Sequence, residues 1–191
     1  MPKTIEEIKK YILESIENIE PIDEIEIQDK KKIKNFLVLH PKNFYDTSNY
    51  KGHITVSALI LNNDLILLVK NKYTNTWDVI KNHCETGQLP FETIKKTIGQ
   101  ETGLERLKPR YVDEEKNPSP YYCSVYEIDV TPDDPADKNH IHLDLLYVFD
   151  IKNQQLDTDE KKVKWFSKNE ASKLNKTVRK IIMKQMGKII I

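Results

Sequence analysis

Two histidines and an aspartate alternate with aliphatic side chains in segment 140–145 of the sequence. His140, His142 and Asp144 would share one face of a β-strand, because successive side chains of a strand point to opposite faces. Two imidazoles and a carboxylate are suitable ligands for Zn²⁺, Mn²⁺ or Fe²⁺. Along one extended strand, however, the three lie too far apart to chelate a single ion easily. Three interpretations stay open: a metal site, the wall of a ligand pocket, or a polar face hydrogen-bonded across a sheet.

Two other histidines, His53 and His83, would join this polar face if the fold brings a strand and a loop together. Taken singly, each is more often structural than a ligand. Cys84 lies beside His83 and is a candidate nucleophile, but the sequence identifies no third group that would orient the pair. A buried, unreactive cysteine is the preferred interpretation of Cys84.

Carboxylates for a second kind of chemistry occur in and before the helix expected over residues 90–102. At 100° per residue, positions 93, 97, 100 and 101 share one helix face. That face carries Thr93, Thr97, Gln100 and Glu101. Glu101 is either a metal ligand or a helix-end charge beside the core. Glu85, in the preceding loop, is either a second ligand or a cap for backbone amides.

The segment 77–104 resembles the Nudix family, hydrolases of nucleoside diphosphates linked to another group. Their signature is G-x5-E-x7-R-E-U-x-E-E-x-G-U, in which U is a bulky aliphatic residue. Glu101, Gly103 and Leu104 match its end. Five other signature positions differ, and they carry Asn82, Gln88, Lys96, Thr97 and Gln100. The segments 52–58, 140–145 and 163–166 are similar to strands of a bacterial Nudix subgroup that has a helical N-terminal segment.

The resemblance implies an α/β (α+β) fold, in which a mixed β-sheet is sandwiched by helices. It also implies catalytic glutamates that hold Mg²⁺ ions on the substrate diphosphate. Of the carboxylates usual at positions 97, 100 and 101, only Glu101 remains. The cofactor implied is therefore Mg²⁺ or Mn²⁺, weakly bound by Glu101 and Glu85, which are also the candidate catalytic residues.

Other departures from the signature bear on the same site. Lys96 replaces an arginine that orients a glutamate in the family, and lysine lacks the planar fork of arginine. Lys81 and Asn82 replace two glycines, so we expect their side chains to obstruct the metal or strain the backbone. The residues expected to line the ligand site are His53, His83, His142, Asp144, Thr97 and Gln100.

The elements that position these residues begin with a helical extension over residues 1–45, followed by a Nudix-like domain over 46–191. Thr4 and Glu7 form a predicted capping box, and isoleucines then recur at helical spacing to about Asn18,. A second short helix is expected around residues 29–39. We expect strands at 54–61, 65–69, 77–80, 121–130, 141–151 and 163–166. A helical region should follow from Ser167 to about Met186.

The composition excludes several classes of protein. With 38% hydrophobic and 31% charged residues, the chain is typical of a globular protein,. Thirty basic and thirty acidic side chains cancel, which gives no reason to expect a nucleic-acid or membrane partner,. Two cysteines, no apolar N-terminal segment and no long apolar run indicate a cytoplasmic protein,. The apolar stripe of the first helix would pack on the following domain or on a second subunit, so a homodimer stays open.

Two hypotheses for function follow from these residues. The first is a Nudix hydrolase-like protein that acts on a nucleoside diphosphate derivative or a related phosphorylated metabolite, with weak or redirected pyrophosphohydrolase activity. The second is a catalytically inactive Nudix domain that binds a nucleotide-type ligand as a sensor or scaffold. A purely structural module is a third, less favoured possibility.

Overall fold

The computed structural model describes residues 3–72, 74–128, 140–152, 154, 156, 159 and 161–187. The helices of this part are α1 (Ile5–Glu17), α2 (Glu24–Leu39), α3 (Pro90–Thr102), α4 (Lys168–Leu174) and α5 (Lys176–Gln185). The strands are β1 (His53–Asn62), β2 (Leu65–Lys70), β3 (Trp77–Asp78), β4 (Ile80–His83), β5 (Lys108–Pro109), β6 (Tyr122–Ile128), β7 (His140–Asp150) and β8 (Val163–Ser167). The predicted residues 129–130 lie outside the described part.

The described strands form one mixed sheet with β1 at its centre. On one side, β1 pairs in parallel with β7, which in turn pairs with β5 and β6. On its other side, the first half of β1 pairs with β4 and the last residues pair with β2, both antiparallel. The expected hairpin of β1 and β2 is confirmed, with Asn62 opposite Leu65. This topology agrees with the α+β fold that the sequence predicted.

The N-terminal helix is held to the rest of the chain by its isoleucine stripe. The capping box of Thr4 and Glu7 is formed as predicted. Ile8, Ile12 and Ile16 are fully buried in the same apolar cluster as strand residues of β1 and β7. Because the stripe packs on the chain's own core, it is not the surface on which a second subunit would dock. A homodimer stays a prediction.

Two helical boundaries differ from the expectation, and in both cases an N-cap explains the difference. Helix α2 begins at Glu24, five residues before the predicted start, because the Asp23 side chain accepts a hydrogen bond from the amide of Glu26 at 2.8 Å,. The C-terminal helical region is interrupted at Asn175, whose backbone is extended (φ −138°, ψ 123°). Its side chain caps the amide of Val178 and starts α5. None of the described helices is long and apolar enough to cross a membrane.

The two faces of the sheet are covered differently. One face of β1 carries Ile54, Val56 and Ala58, which share an apolar cluster with residues of α1 to α3. The other face carries Leu59 and Leu61 near the end of the strand, where they share a cluster with residues of α5. At the beginning of β1 this second face carries polar side chains instead, His53, Thr55 and Ser57 among them. The polar half-face is therefore one candidate place for a ligand.

Candidate functional site

Four histidines from three neighbouring strands meet at one end of this polar half-face. His53 begins β1 and lies directly opposite His142 in the parallel register with β7. His140 begins β7 two residues earlier, on the same face,. His83 ends β4, which runs antiparallel to β1. Strand pairing thus brings together residues that are far apart in the sequence.

The ring nitrogens of the four histidines are close enough to share one ion. The Nε2 atoms of His140 and His142 are 2.8 Å apart, and those of His83 and His142 are 3.4 Å apart. One nitrogen from each ring, His53 included, lies within 4.8 Å of the other three. Within the described residues, no other group of three or more histidine, cysteine or acidic side chains has such an arrangement.

The environment of the cluster lowers the pKa of His53 and of His142 and so favours their neutral forms. His53 is 1% exposed, and neither of its ring nitrogens has a hydrogen-bond partner in the described part of the chain. Burial and the neighbouring His83 and His140 lower the pKa of His53 to about 4. Burial and the other three histidines lower the pKa of His142 to about 2. A neutral imidazole has a free lone pair, which is the form that binds a metal.

Asp144 shares the face of the histidines, but its carboxylate is engaged within the sheet. It accepts hydrogen bonds from the hydroxyls of Thr55 at 2.9 Å and Ser57 at 2.5 Å. It is 2% exposed, and burial raises its pKa. Beside it, Tyr126 packs against the ring of His142 at 5.5 Å and under the Lys81 ammonium at 5.3 Å. Asp144 therefore supports the two strands and does not join the histidine cluster.

The helix face that resembles the Nudix signature is closed by a neutral hydrogen bond. The Asn82 amide donates to the Thr97 hydroxyl at 2.8 Å, and that hydroxyl donates to the carbonyl of Thr93 at 3.0 Å. Thr97 is 3% exposed. Neither Lys81 nor Asn82 has a positive φ, so the backbone strain that the sequence suggested is absent there. The other expectation, that a side chain obstructs the metal, stays a prediction.

Glu85 is held in an ion pair in front of the helix. The Lys96 ammonium lies 2.7 and 3.0 Å from its two carboxylate oxygens. The amide of Gln88 donates to the same carboxylate at 2.6 Å. Lys96, at the arginine position of the signature, thus still pairs with a carboxylate. Its partner is Glu85, since the first glutamate position of the signature carries the neutral Gln88. The pair leaves Glu85 poorly placed to serve as a metal ligand.

Glu101 and Gln100 face different parts of the surface. Glu101 lies at a cavity of about 760 Å³ between the end of β2, β4 and the loop before β8. Partial burial of its carboxyl raises the pKa of Glu101. Gln100 is exposed and lines a separate depression beside Lys96. Positions 97, 100 and 101 therefore do not converge on one ligand, although they share a helix face.

The candidate nucleophile Cys84 is buried, as the preferred interpretation of the sequence expected. Cys84 is a free cysteine with 5% exposure. Burial raises the pKa of its thiol, and the nearby Asp144 charge acts in the same direction. A thiol held in its protonated form is a poor nucleophile. The structure supports the interpretation of Cys84 as a packing residue.

Comparison with known proteins places this geometry in a family. The sequence profile of the NUDIX domain matches residues 51–185. The chain belongs to the NUDIX family. Among solved structures, it is similar to a NUDIX-family hydrolase from Clostridium perfringens, with a TM-score of 0.51 and 22% identity. That similarity covers 64% of this chain and 86% of the other, and at this identity it shows the fold alone.

Two other solved NUDIX-like structures are similar at lower TM-scores. One is an Ap4A hydrolase from C. elegans, with a TM-score of 0.49, 14% identity, and 70% of this chain and 98% of that chain covered. The other is the dihydroneopterin triphosphate pyrophosphohydrolase of E. coli, with a TM-score of 0.49, 13% identity, and coverages of 69% and 92%. A comparison with curated protein sequences gives no significant match.

The residues of this NUDIX domain do not fit the divalent metal that the family's signature helix implies. Mg²⁺ needs several oxygen ligands, usually including one or two carboxylates. Here Thr97 is bound to Asn82, Glu85 is bound to Lys96, and Glu101 lies at the cavity without a second described carboxylate on its helix face. The signature helix of this protein is therefore unsuited to the two- or three-carboxylate metal chemistry of the family.

A set of lysines that no sequence pattern predicted lies around the cavity beside Glu101. They come from β2, the following loop, β4 and the turn before β8, and they are Lys70, Lys72, Lys81, Lys161 and Lys162. Their residue type is the only sign in the sequence of an anion site, and it is a weak one, because lysine is abundant throughout the chain. Their convergence depends on the antiparallel pairing of β2 with β8, which no local pattern reveals.

Proposed function

We propose that this NUDIX domain binds a nucleoside diphosphate derivative, or a related phosphorylated metabolite, in the lysine-lined cavity beside Glu101. Its pyrophosphohydrolase activity is weak or redirected. The observation that carries the proposal is the collection of five lysines around a cavity of about 760 Å³. Cavities of about 300–1,000 Å³ are typical of small-molecule sites.

The charge of the cavity favours an anionic ligand. Among the described residues that line it, the carboxylates are Asp78 and Glu101, and Asp78 is paired with Lys81 at 2.8 Å. Lysine ammonium groups bind phosphate oxygens through charge-assisted hydrogen bonds. Lys70 lines the cavity, and its ammonium lies 5.9 Å from the centre of the Trp77 ring. Excess positive charge supports binding of a diphosphate without a bridging metal.

The weak activity follows from the signature helix. In the family, carboxylates at positions 97, 100 and 101 supply the metal chemistry, and here two of them are replaced by neutral side chains. Losing a single general base typically removes about 10²–10⁴ in rate. The neutral hydrogen bond between Asn82 and Thr97 supports a second candidate function, in which the domain binds its ligand as a sensor without any turnover.

Binding and turnover are tested separately on the full chain. ADP-ribose, Ap4A and ATP serve as probes in a thermal-shift and calorimetric titration, since a ligand of the folded state raises the melting temperature. Lys162→Gln is expected to weaken binding roughly tenfold, because it removes a charged hydrogen-bond donor. Lys168→Gln is the matched control, because Lys168 pairs with Asp64 at a distant surface.

The outcomes separate the candidates. Binding that Lys162→Gln weakens and Lys168→Gln leaves unchanged supports the cavity. Product release from a bound probe favours the hydrolase, and binding without release favours the sensor. If none of the three probes stabilises the protein, or if both lysine variants bind like the wild type, the cavity assignment is wrong.

A further inference from the structure

The four-histidine cluster has no part in the proposed function and lies on the opposite side of β4 from the signature helix. We propose that His53, His83, His140 and His142 together bind one transition-metal ion, and that Zn²⁺ is the ion this ligand set fits. The site would be distinct from the metal position that the signature helix implies, and it does not depend on the lysine-lined cavity.

The spacing of the ring nitrogens is near that of a four-coordinate site. Zn²⁺ bonds imidazole nitrogen at about 2.0–2.1 Å, and a tetrahedron of that size separates its ligand atoms by about 3.4 Å. The Nε2 atoms of His83 and His142 are 3.4 Å apart, and those of His140 and His142 are 2.8 Å apart. One nitrogen from each of the four rings lies within 4.8 Å of the other three, so the cluster must contract to reach the spacing of a tetrahedral site.

The second observation is the state of His53. It is 1% exposed, and both of its ring nitrogens are buried without a hydrogen-bond partner in the described part of the chain. Its ring centre lies 4.8 Å from those of His83 and His142 and 4.9 Å from that of His140. Buried polar atoms are nearly always paired in native proteins. A metal ion shared with the three neighbouring imidazoles would supply a partner for a ring nitrogen of His53.

The chemistry of the ligands selects the metal. Imidazole nitrogen is a borderline ligand that suits Zn²⁺, Cu²⁺ and Ni²⁺, whereas Mg²⁺ and Ca²⁺ prefer oxygen. A tetrahedral arrangement favours Zn²⁺ over the square-planar preference of Cu²⁺. Four neutral imidazoles leave the ion with its full charge, and the Asp46 carboxylate is close enough to His53 for an electrostatic interaction. Asp46 is thus a source of partial compensation outside the ligand shell.

Four protein ligands complete the coordination of Zn²⁺, which is the pattern of structural sites and not of catalytic ones. The ion would join the start of β1, the start of β7 and the end of β4 at a single point. These strands otherwise contact one another there through backbone pairing and the hydrogen bonds of Asp144. The proposed role is therefore to fix the polar half-face, and metal binding should raise the stability of the fold.

The test uses the full chain without a histidine tag, after treatment with a chelator. Titration with Zn²⁺ in a calorimeter should show one ion per chain, and Zn²⁺ should raise the melting temperature. Co²⁺ in place of Zn²⁺ should give the strong visible absorption of a tetrahedral ion, which reports the geometry independently of stability. Mg²⁺ at the same concentration should give neither effect.

Two variants and one matched control assign the ligands. His83→Ala and His142→Ala should each weaken Zn²⁺ binding more than about 100-fold, since altering an outer-shell partner alone can cost 10–100-fold. His83 is exposed, so its variant should remain folded, as circular dichroism would verify. His40→Ala is the control, because His40 ends α2 and packs on Phe36 outside the cluster.

The proposal is overturned if the wild type binds no stoichiometric Zn²⁺, or if the folded His83→Ala variant binds it as the wild type does. A Co²⁺ spectrum of octahedral type would also overturn it. If a histidine variant that has lost Zn²⁺ binding still binds a phosphorylated probe, the proposed cavity is unaffected. The two proposals can therefore fail independently.

Discussion

Asn82 and His83 are neighbours on β4, but they point to opposite faces of the sheet and enter sites of opposite character. On one face, Asn82 and Thr97 form a neutral hydrogen bond at positions where the NUDIX signature has a glycine and a glutamate. On the other, the ring of His83 lies with those of His53, His140 and His142. One strand therefore separates a face where neutral side chains stand at signature positions from a face where four imidazoles cluster.

The two faces show that the residue standing at a metal-ligand position decides whether space and unpaired polar atoms remain there. Thr97 does not leave an empty space, because its hydroxyl is bound on both sides and the Asn82 side chain fills the position of a glycine. The histidine face is the reverse case, since His53 is buried with its polar atoms unpaired in the described part of the chain. The first face is satisfied as it stands, whereas on the second the buried ring nitrogens of His53 have no hydrogen-bond partner among the described residues.

The largest effect is expected when a carboxylate is returned to the satisfied face. Thr97→Glu places a charge at a position that is 3% exposed and breaks the hydrogen bond to Asn82. We expect a loss of about 3 kcal/mol or more in the free energy of unfolding, measured with urea. Adding Asn82→Gly should recover part of it, more so with Mg²⁺, because the space freed beside the new carboxylate admits a cation.

Thr97→Val is the matched control for that series, because it removes the hydroxyl without adding a charge. It should cost about 1–2 kcal/mol, since the Asn82 amide loses its acceptor. Wild-type stability in the Thr97→Glu single variant would mean that the helix face is more open than the structure indicates. If the wild type hydrolyses a nucleotide substrate efficiently with Mg²⁺, residues other than those of the signature helix must hold the metal.

A smaller effect is expected beneath the histidines. Asp144→Ala leaves the hydroxyls of Thr55 and Ser57 buried without their acceptor, and we expect a loss of about 2–3 kcal/mol in urea unfolding,. Asp144→Asn should cost less, because its amide oxygen still accepts one of the two hydrogen bonds. If both variants are as stable as the wild type, these hydrogen bonds do not hold β1 to β7.

Two glycines extend the comparison to the backbone. Gly52 has a φ of +128°, and a Cβ there would lie 2.6 Å from the carbonyl oxygen of Ile141, between two of the histidines. Gly52→Ala should cost at least about 1 kcal/mol and weaken Zn²⁺ binding, because β1 and β7 must separate. Gly99 in α3 has space for a Cβ, with its nearest contact at 3.8 Å.

Gly99→Ala should therefore stabilise the protein by about 0.5–1 kcal/mol, in line with helix propensity, and leave Zn²⁺ binding unchanged. Thermal unfolding with and without Zn²⁺ measures both variants. Equal effects of the two substitutions would mean that the close approach of β1 and β7 is not needed for the histidine cluster.

Local patterns in the sequence predicted most of this fold. The spacing of the isoleucines, the capping boxes and the ends of α3 are decided by residues within a few positions of one another, and the structure agrees. The early start of α2 and the break at Asn175 were missed, because a single aspartate or asparagine is a common residue whose capping role depends on the backbone around it,.

The sites were harder to predict than the elements. Alternation placed His140, His142 and Asp144 on one face, but only the parallel register of β7 with β1 puts His53 beside His142 and the hydroxyls of β1 on Asp144. That register joins residues nearly 90 positions apart, and nothing in the local pattern specifies it. Helix periodicity likewise placed Thr97, Gln100 and Glu101 on one face. It did not show that Thr97 is buried or that the other two line different depressions, because both depend on the strands and loops around the helix.

The smallest effect is expected at Glu85, which is a candidate ligand by resemblance and an ion-pair partner in the structure. Its carboxylate and the Lys96 ammonium are both substantially exposed, with 39% and 49% of the side chains accessible. Exposed pairs contribute about 0.2–1 kcal/mol, so Glu85→Gln should shift urea unfolding by no more than that. A double-mutant cycle with Lys96→Met isolates the pair, and Zn²⁺ binding to the histidines should be unchanged in all three variants. A loss of Zn²⁺ binding in Glu85→Gln would contradict this expectation. It would mean that Glu85 is a metal ligand and that both faces of β4 contribute to one site.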